Sequence, residues 1–432
     1  MSRAAVLMAL LWLVACERTL AVRTVEPPGV QPVAVELPAD DKGEVGWYPA
    51  LRRGSTGTLH LAYCDKSNGD VRYGRRGDDG VLRLETVAAY GAVGKYIALA
   101  VDDADQPHLL YHDQDTKYLK YTLRQAEGWL QVPRVEGELT SLPDEAERHE
   151  RLAWGAEVGM GSRLLVHQGI AYALYYANRR DGGQLFMAVR KPLSEAPFGS
   201  EGAWHEEEID RADGSWSIWT DLVISGDQLV ASYPHWNWVD SELRLAQRPL
   251  AGGAWSVRVA YPLKKMTPGW MSSLVPTPDQ GLWMAFTGLR RERIFVGPVP
   301  VDDDMVDTPV LGYFINRIRM KRAGNGDFVL AAAETGKGSL GDSILALFRR
   351  HDGQWTRYPV DTRRPVASQM DLAVTPEGKA IILYYGDGTR GLWLYDESQS
   401  TRVEDSRPAP ASAPSSRPAS QPASQPASRP SR

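Results

Sequence analysis

Residues 60–73 read HLAYCDKSNGDVRY and residues 108–121 read HLLYHDQDTKYLKY, and the two stretches align without a gap. Each contains an apolar run, a cluster of Asp, Asn or Gly, and a second alternating run, which is the pattern of two strands joined by a tight turn. The stretches begin 48 positions apart, at His60 and His108. A spacing of about 40–50 residues is typical of a β-propeller blade.

The same four-strand pattern continues along the chain with more variation. Seven units can be counted, starting near residues 47, 95, 162, 220, 272, 317 and 370. The last unit is one strand short, which would leave an unpaired sheet edge. The segment VQPVAVEL at 30–37 precedes the first unit and can fill that position. The sequence therefore predicts an all-β, seven-bladed propeller of four-stranded antiparallel blades, closed by an N-terminal strand.

Glycine and tryptophan recur together at the turn from the third to the fourth strand. They occur at 128–129, 202–204, 253–255 and 353–355. Glycine allows the tight turn, and the indole is expected to pack between adjacent blades. This position resembles the Asp-box of sialidase-like (BNR-type) propellers, although Asp352-Gly353-Gln354-Trp355 keeps only part of that motif and no unit has all of it. The resemblance implies the propeller architecture and carries no sialidase activity with it.

The N-terminal segment predicts export. Arg3 precedes an apolar run, Ala4 to Ala15, that is too short to span a bilayer and is typical of a secretion signal. Leu13-Val14-Ala15-Cys16 resembles the lipobox of bacterial lipoproteins, which implies a signal peptide over 1–15 and lipidation of Cys16; an ordinary signal peptide is the alternative. Glu17 at the next position favours the outer membrane by the same resemblance.

The remaining boundaries follow from composition. Residues 401–432 are mostly Pro, Ala, Ser, Gln and Arg, which predicts a disordered tail. Residues 16–29 form a short tether, and 30–400 form the propeller. The formal net charge is −5 and no run of charge suggests nucleic acid. Cys64 has no partner if Cys16 carries lipid, so a large apolar core must supply the stability.

Aligning the seven inner strands predicts a ring of side chains around the central channel. One residue from each blade precedes the apolar part of the strand: Ala50, Ala98, Arg163, Asp221, Ser273, Arg317 and Asp371. Buried charges are unfavourable unless they are paired, hydrated or met by a ligand. The ring is therefore either an ion-pair plug or a binding site, and both interpretations stay open.

The loops between the second and third strands supply further candidates on the face where ligands bind propellers. His235, Trp236 and Trp238 combine stacking surfaces with a polar group and suit sugar rings. Arg179 and Arg290, each in an arginine pair, suit carboxylate or phosphate. Asp113 is a candidate ligand contact and a candidate acid or base, but Asp65 holds the equivalent repeat position, which favours a turn role.

No motif predicts a metal ion or another cofactor. The acidic clusters 113–115 and 302–304 lack the features of a calcium loop, and no His or Cys set has zinc spacing. The insertion 137–155 begins with Ser141 and acidic residues that suit a helix start. We expect it to project on the loop-rich face.

Three functions remain compatible with the sequence. The first is a lipid-anchored propeller that binds a glycan, peptide or protein partner on its loop-rich face. The second is a glycoside hydrolase or lyase whose residues are scattered over several blades, so whether the protein is an enzyme stays open. The third is a structural subunit of an envelope assembly.

Overall fold

A computed structural model describes the strands and turns of the propeller. The described residues are 23–25, 29–39, 42–131, 148–179, 182–212, 219–236, 241–260, 268–279, 281–288, 293–300, 307–311, 314–335, 343–362 and 365–405. The predicted signal peptide, Cys16, the insertion helix, the loop residues Trp238 and Arg290, and the tail beyond residue 405 lie outside them.

The first half of the chain forms three blades after two short N-terminal strands. The N-terminal strands are β1 (Arg23–Thr24) and β2 (Val33–Glu36). Blade 1 contains β3 (Val45–Arg53), β4 (Leu59–Asp65), β5 (Asp70–Arg76) and β6 (Val81–Ala88). Blade 2 contains β7 (Val93–Val101), β8 (Pro107–Asp113), β9 (Tyr118–Gln125), β10 (Gly128–Trp129) and β11 (Glu150–Trp154). Blade 3 contains β12 (Val158–His167), β13 (Ile170–Arg179), β14 (Gly182–Arg190) and β15 (Trp204–Ala212).

The second half forms four blades and a terminal strand. Blade 4 contains β16 (Asp221–Ser225), β17 (Gln228–Trp236), β18 (Ser241–Pro249) and β19 (Ser256–Val259). Blade 5 contains β20 (Pro268–Pro276), β21 (Leu282–Gly288), β22 (Arg293–Pro298) and β23 (Asp307–Leu311). Blade 6 contains β24 (Phe314–Arg322), β25 (Phe328–Thr335), β26 (Ser343–His351) and β27 (Gln354–Asp361). Blade 7 contains β28 (Val366–Val374), β29 (Ala380–Gly386) and β30 (Gly391–Asp396), and β31 (Arg402–Asp405) follows.

The predicted closure is confirmed. β2 pairs antiparallel with β30, with Val33 opposite Leu394, and completes blade 7. Two further segments lie outside the expected range of 30–400: β1 adds to the outer edge of blade 6, and β31 adds to the outer edge of blade 1. The buried Arg72 of blade 1 pairs with Asp405 of β31 at 2.7 Å, so the C-terminal strand is anchored by charge as well as by backbone bonds.

The apolar core lies between the blades. Each described interface between neighbouring blades has its own cluster of buried side chains, including the one between blades 7 and 1. Strands β4, β8 and β29 are buried along their whole length because a neighbouring blade covers each face of the sheet. The two aligned stretches, 60–73 and 108–121, contain the second strands of blades 1 and 2 and the start of the third strands that follow.

Asp65 and Asp113 end the second strands of blades 1 and 2 and shape the next turn. Each carboxylate accepts hydrogen bonds from the backbone N–H groups two and three residues later, at 3.0–3.2 Å. Short polar side chains favour such turns for this reason. Asp113 also pairs with Lys120 at 2.7 Å in a buried environment. Its carboxylate is therefore engaged by the scaffold, and we do not retain it among the binding residues.

The repeated tryptophans pack between blades, as predicted. Trp129, Trp204 and Trp255 each donate a hydrogen bond to a glutamate on the last strand of the preceding blade. The glutamates, which are Glu85, Glu150 and Glu207, also pair with an arginine of the blade that carries the tryptophan. This Trp–Glu–Arg arrangement, called the clamp below, joins blades 1 to 4 in sequence.

The outer strand of blade 2 consists of two separate segments, β10 and β11. β10 and β11 both pair with β9, so the insertion interrupts this strand instead of following it. The chain leaves the blade edge after Gln131 and returns at Arg148, where the backbone N–H bonds to the Gln131 side chain. Both ends of this segment, Gln131 and Arg148, lie on the outer edge of the sheet, and its predicted projection on the loop-rich face lies outside the described residues.

His149 is buried where the insertion returns. It contacts the hydroxyl of Tyr111 at 2.6 Å and the side chain of Gln131 at 2.9 Å. Burial lowers the pKa of His149 to about 3, so the imidazole is neutral at physiological pH.

No described helix is long and apolar enough to cross a membrane.

Candidate binding site in the central channel

The inner strands line the channel at three levels. Alternate residues of a strand point to the same face. Each blade therefore contributes three residues to the channel wall: one in a middle ring, another two positions earlier in the strand, and a third two positions later. The earlier residues form the mouth on the loop-rich face, and the later ones lie deeper.

The middle ring matches the prediction in six blades and differs in blade 6. The backbone N–H groups of Leu51 and Leu274 each bond to the ring carboxylate of the preceding blade, Asp371 and Asp221. In blade 6 the N–H that bonds to the Ser273 hydroxyl is that of Met320. Arg319, which precedes Met320, is therefore the ring residue. Arg317, the predicted one, lies one level nearer the mouth.

The register change of β24 between Ile315 and Arg317 does not by itself explain the shift in blade 6. The inner strands of blades 1, 2, 3, 5 and 7 carry comparable irregularities. The sequence around Arg317 and Arg319 alternates cations and apolar residues, so both positions fit the strand pattern equally well.

A cavity of about 390 Å³ occupies the mouth and upper channel. Its lining includes the predicted Arg163, Asp221, Arg317 and Asp371, so the structure brings these four side chains together. Five cationic side chains and two carboxylates line it, a formal excess of three positive charges in a protein whose net charge is −5. The cations are Arg52, Arg163, Arg317, Arg319 and Lys321.

Three of the cations have carboxylate partners. Asp371 contacts Arg52 at 2.8 Å and Arg319 at 3.2 Å, and Arg163 lies 3.5 Å from Asp221. Burial alone would raise the pKa values of Asp221 and Asp371, but the surrounding cations outweigh it and hold both below the ordinary range. Both carboxylates therefore stay ionised, and part of the ring is an ion-pair network.

Arg317 and Lys321 have no ion-pair partner within the described part of the chain. The Arg317 Nε is buried without a hydrogen-bond partner there, as is the Arg163 Nη2. Burial and the neighbouring Arg319 and Arg163 hold the pKa of Arg317 well below its usual value. Burial and Arg52 likewise lower the pKa of Lys321. The channel thus contains cationic groups that its own carboxylates do not neutralise.

Aromatic side chains form the wall of the mouth. Tyr48, Tyr96 and Trp219 occupy the level of Arg317 and line the cavity together with Trp47. The rings of Tyr48 and Tyr96 meet edge to face at 5.4 Å between centroids. Aromatic faces beside charged donors can hold a ligand with apolar faces and anionic groups.

The backbone at the two tyrosines is unusual. Tyr48 has φ 53° and Tyr96 has φ 55°, in the left-handed region that bulky residues rarely occupy. Gly161, at the same position of blade 3, adopts φ 65° without that penalty. A register change follows Trp47 in blade 1 and Lys95 in blade 2. Strain of this kind concentrates at functional sites, and here it coincides with the channel mouth.

His235, another predicted residue, does not line this cavity. His235 lies half-buried on β17, opposite Glu242, and burial together with Arg244 lowers its pKa. Trp236 and Arg179 end strands β17 and β13, and their side chains are outside the described set, as are Trp238 and Arg290. A sugar site built on these loops therefore stays a prediction.

Sequence reasoning missed the residues above and below the ring. Tyr48, Tyr96 and Trp219 lie two positions before their ring residues, while Arg52 and Lys321 lie two positions after. Extending the predicted ring by two positions in each direction would have found Tyr48, Tyr96, Trp219 and Arg52, whereas Lys321 lies four positions after the predicted Arg317. The repeated Gly-x-Tyr at 46–48 and 94–96 was a further signal.

Among the described residues, no group of His, Cys, Asp or Glu is arranged to hold a metal ion. Cys64 is buried and has no disulfide.

The fold places the chain in the structural class of seven-bladed β-propellers. No protein-family model matches it, and no curated protein matches it by sequence. The polysaccharide lyase Uly1 is similar, with a TM-score of 0.52 and 10% identity over 88% of this chain and 93% of that chain. The β-propeller domain of the trilobed protease from Pyrococcus furiosus has a TM-score of 0.45 and 9% identity, over 83% and 95% of the two chains.

An α-L-arabinofuranosidase of Fusarium graminearum is also similar, with a TM-score of 0.41 and 11% identity over 87% of this chain and 96% of that chain. The similar structures are thus β-propeller proteins that include glycoside hydrolases and a polysaccharide lyase. At these identities the likeness shows a shared fold and nothing finer.

Proposed function

We propose that this protein is an exported, lipid-anchored β-propeller that binds an acidic carbohydrate in the mouth of its central channel. The observation that carries the proposal is Arg317, a channel arginine with a buried Nε that lacks a partner and with no carboxylate in ion-pair range among the described residues. A carboxylate or sulfate would supply the missing acceptor and offset the excess positive charge.

Carbohydrate is favoured over a small inorganic anion by the walls of the site. Trp47, Tyr48, Tyr96 and Trp219 provide apolar faces around the cation, and the cavity of about 390 Å³ falls in the range typical of small-molecule sites. A peptide with acidic side chains shares part of this chemistry and is an outcome that the test below distinguishes.

The channel carboxylates do not favour the alternative of a hydrolase with two catalytic carboxylates. Such an enzyme needs one carboxylic acid with a raised pKa to protonate the leaving group. Asp221 and Asp371 both have lowered pKa values and are held by cations. An envelope subunit whose ring side chains plug the channel is not favoured either, because a cavity lies at the mouth.

The test is calorimetric titration of the detergent-solubilised full chain with oligogalacturonates, sulfated oligosaccharides, neutral maltooligosaccharides and an acidic peptide. We expect one of the acidic sugar series to bind and the neutral series to fail. Arg317→Met should weaken binding at least tenfold, because a hydrogen bond to a charged group is lost. The exposed Arg211→Met is the matched control and should bind normally.

Binding of the neutral sugars with equal affinity, or of the acidic peptide alone, would overturn the carbohydrate assignment.

The lipid anchor rests on the sequence around Cys16. Metabolic labelling with a radioactive fatty acid should mark the protein, and Cys16→Ser should abolish the label and release the protein from the outer-membrane fraction. Unchanged membrane association of the serine variant would contradict the anchor.

A further inference from the structure

The inner strand of blade 6 presents three cations to the channel at alternate positions. They are Arg317 at the mouth, Arg319 in the middle ring and Lys321 below it. Arg319 alone of the three has an ion pair within the described residues, with Asp371. The free cations therefore lie above and below a neutralised one, four residues apart, which is about 13 Å along a strand.

Lys321 is accessible from the mouth. It lines the upper cavity, and it also lines a lower cavity of about 410 Å³ on the opposite side of the ring. At the level of Lys321 the walls contributed by several other blades are apolar, with Leu165, Val223 and Val275 two positions after their ring residues. The polar part of the channel thus extends from the mouth to Lys321 and gives way to apolar residues there.

We propose that the ligand enters the channel end-on, as the terminus of a short acidic oligosaccharide, with one anionic group at Arg317 and its terminal anionic group at Lys321. This inference rests on the proposed function and adds the orientation and the part of the ligand that is recognised. A chain lying across the face of the propeller would contact Arg317 but could not reach Lys321.

The walls of the channel favour insertion of a chain end. The inner strands surround the cavity, and the ion pairs of Asp371 and Asp221 lie at the middle ring. An internal segment of a polymer could enter the channel only if the chain folded back on itself, whereas the end of a chain can enter directly. The aromatic mouth then contacts the sugar rings nearest the entrance.

The experiment compares size-defined acidic oligosaccharides with the detergent-solubilised full chain. The series that binds in the calorimetric panel, uronate or sulfated, is titrated from the monosaccharide to chains of about twenty residues, and stoichiometry is read from the midpoint. End-on binding predicts one protein per chain at every length. Lateral binding predicts that the number of proteins per chain rises with length.

Lys321→Met tests the deep contact. It keeps the apolar stem and removes the charge, and we expect at least a tenfold loss of affinity for oligosaccharides long enough to reach it. The monosaccharide, which cannot span both cations, should lose less affinity than the longer chains. Lys191→Met, at an exposed lysine, is the matched control.

The outcomes separate the two proposals. If oligosaccharides bind and depend on Arg317 but not on Lys321, or if stoichiometry grows with chain length, end-on insertion is overturned and the proposed function stands. If no acidic series binds at all, the proposed function fails and this inference fails with it.

Discussion

Replacing Arg317 with methionine should make the free protein more stable while weakening its binding, whereas replacing the neighbouring Arg319 should make the protein less stable. Arg317 has a buried Nε without a partner and is repelled by Arg319 and Arg163. Replacing buried charges with apolar side chains of similar size is often neutral or stabilising by up to a few kcal/mol. Because Arg317 is partly exposed, we expect a gain of about 1 kcal/mol.

Arg319→Met is the matched comparison, two residues along the same strand. It removes one of two cations that neutralise Asp371, and breaking a buried pair costs about 3–5 kcal/mol. Since Arg52 remains, we expect a loss of about 3 kcal/mol. Equilibrium unfolding in urea at pH 7, followed by tryptophan fluorescence, gives both values from the shift in midpoint.

The two variants should therefore move the midpoint in opposite directions. If Arg317→Met and Arg319→Met destabilised the protein by similar amounts, this prediction would be wrong. Such a result would mean that Arg317 has a stabilising partner in the free protein.

Three further predictions concern stability. Glu150→Gln should lower the free energy of unfolding in urea by about 3 kcal/mol, because its clamp is nearly inaccessible, with side-chain exposures of 4% for the glutamate and 2% for its arginine. Glu85→Gln, in a clamp exposed by about 30%, should lower it by about 1 kcal/mol or less. Equal effects of the two substitutions would contradict this prediction. A chain ending at residue 399 should unfold at a lower urea concentration than one ending at residue 405, because the buried Arg72 loses its ion pair with Asp405 of β31. Identical midpoints would show that β31 does not contribute to stability. The pKa of His149 is lowered to about 3 in the folded protein, whereas the imidazole of the unfolded chain takes up a proton below about pH 6.5. The free energy of unfolding should therefore fall as the pH drops from 6.5 to 3, by about 2–3 kcal/mol at pH 4.5. His149→Gln should reduce this pH dependence.

The sequence predicted the blades because strand patterning is local. The similar stretches at 60–73 and 108–121 contain both the alternation of apolar and polar residues and the aspartates of the turn, and the other blades repeat this sequence pattern with variation. The closing strand was predictable because an unpaired edge in the last blade needs a partner, and 30–37 was the available apolar segment. Segments as short as β1 and β31 have no such signal, since a few residues added to an outer edge need no hydrophobic pattern.

The site was predicted in outline and missed in register. Arg163, Asp221 and Asp371 follow from aligning inner strands of regular length, so their convergence was accessible. Arg317 and Arg319 both fit the alternation of a single strand, and the hydrogen bond from Met320 to Ser273 of the neighbouring blade shows which of them occupies the ring. Which cations stay unpaired depends on contacts between different blades, such as Asp371 of blade 7 with Arg52 of blade 1, and only the folded ring brings those together.

The most direct measurement is the structure of the protein crystallised with a short acidic oligosaccharide that binds in solution. We expect density inside the channel mouth, with an anionic group within hydrogen-bond distance of the Arg317 guanidinium and a sugar ring against Tyr48 or Trp219. Density bound only to the outer blade edges or to the peripheral loops, with the channel free of ligand at saturating concentration, would contradict it.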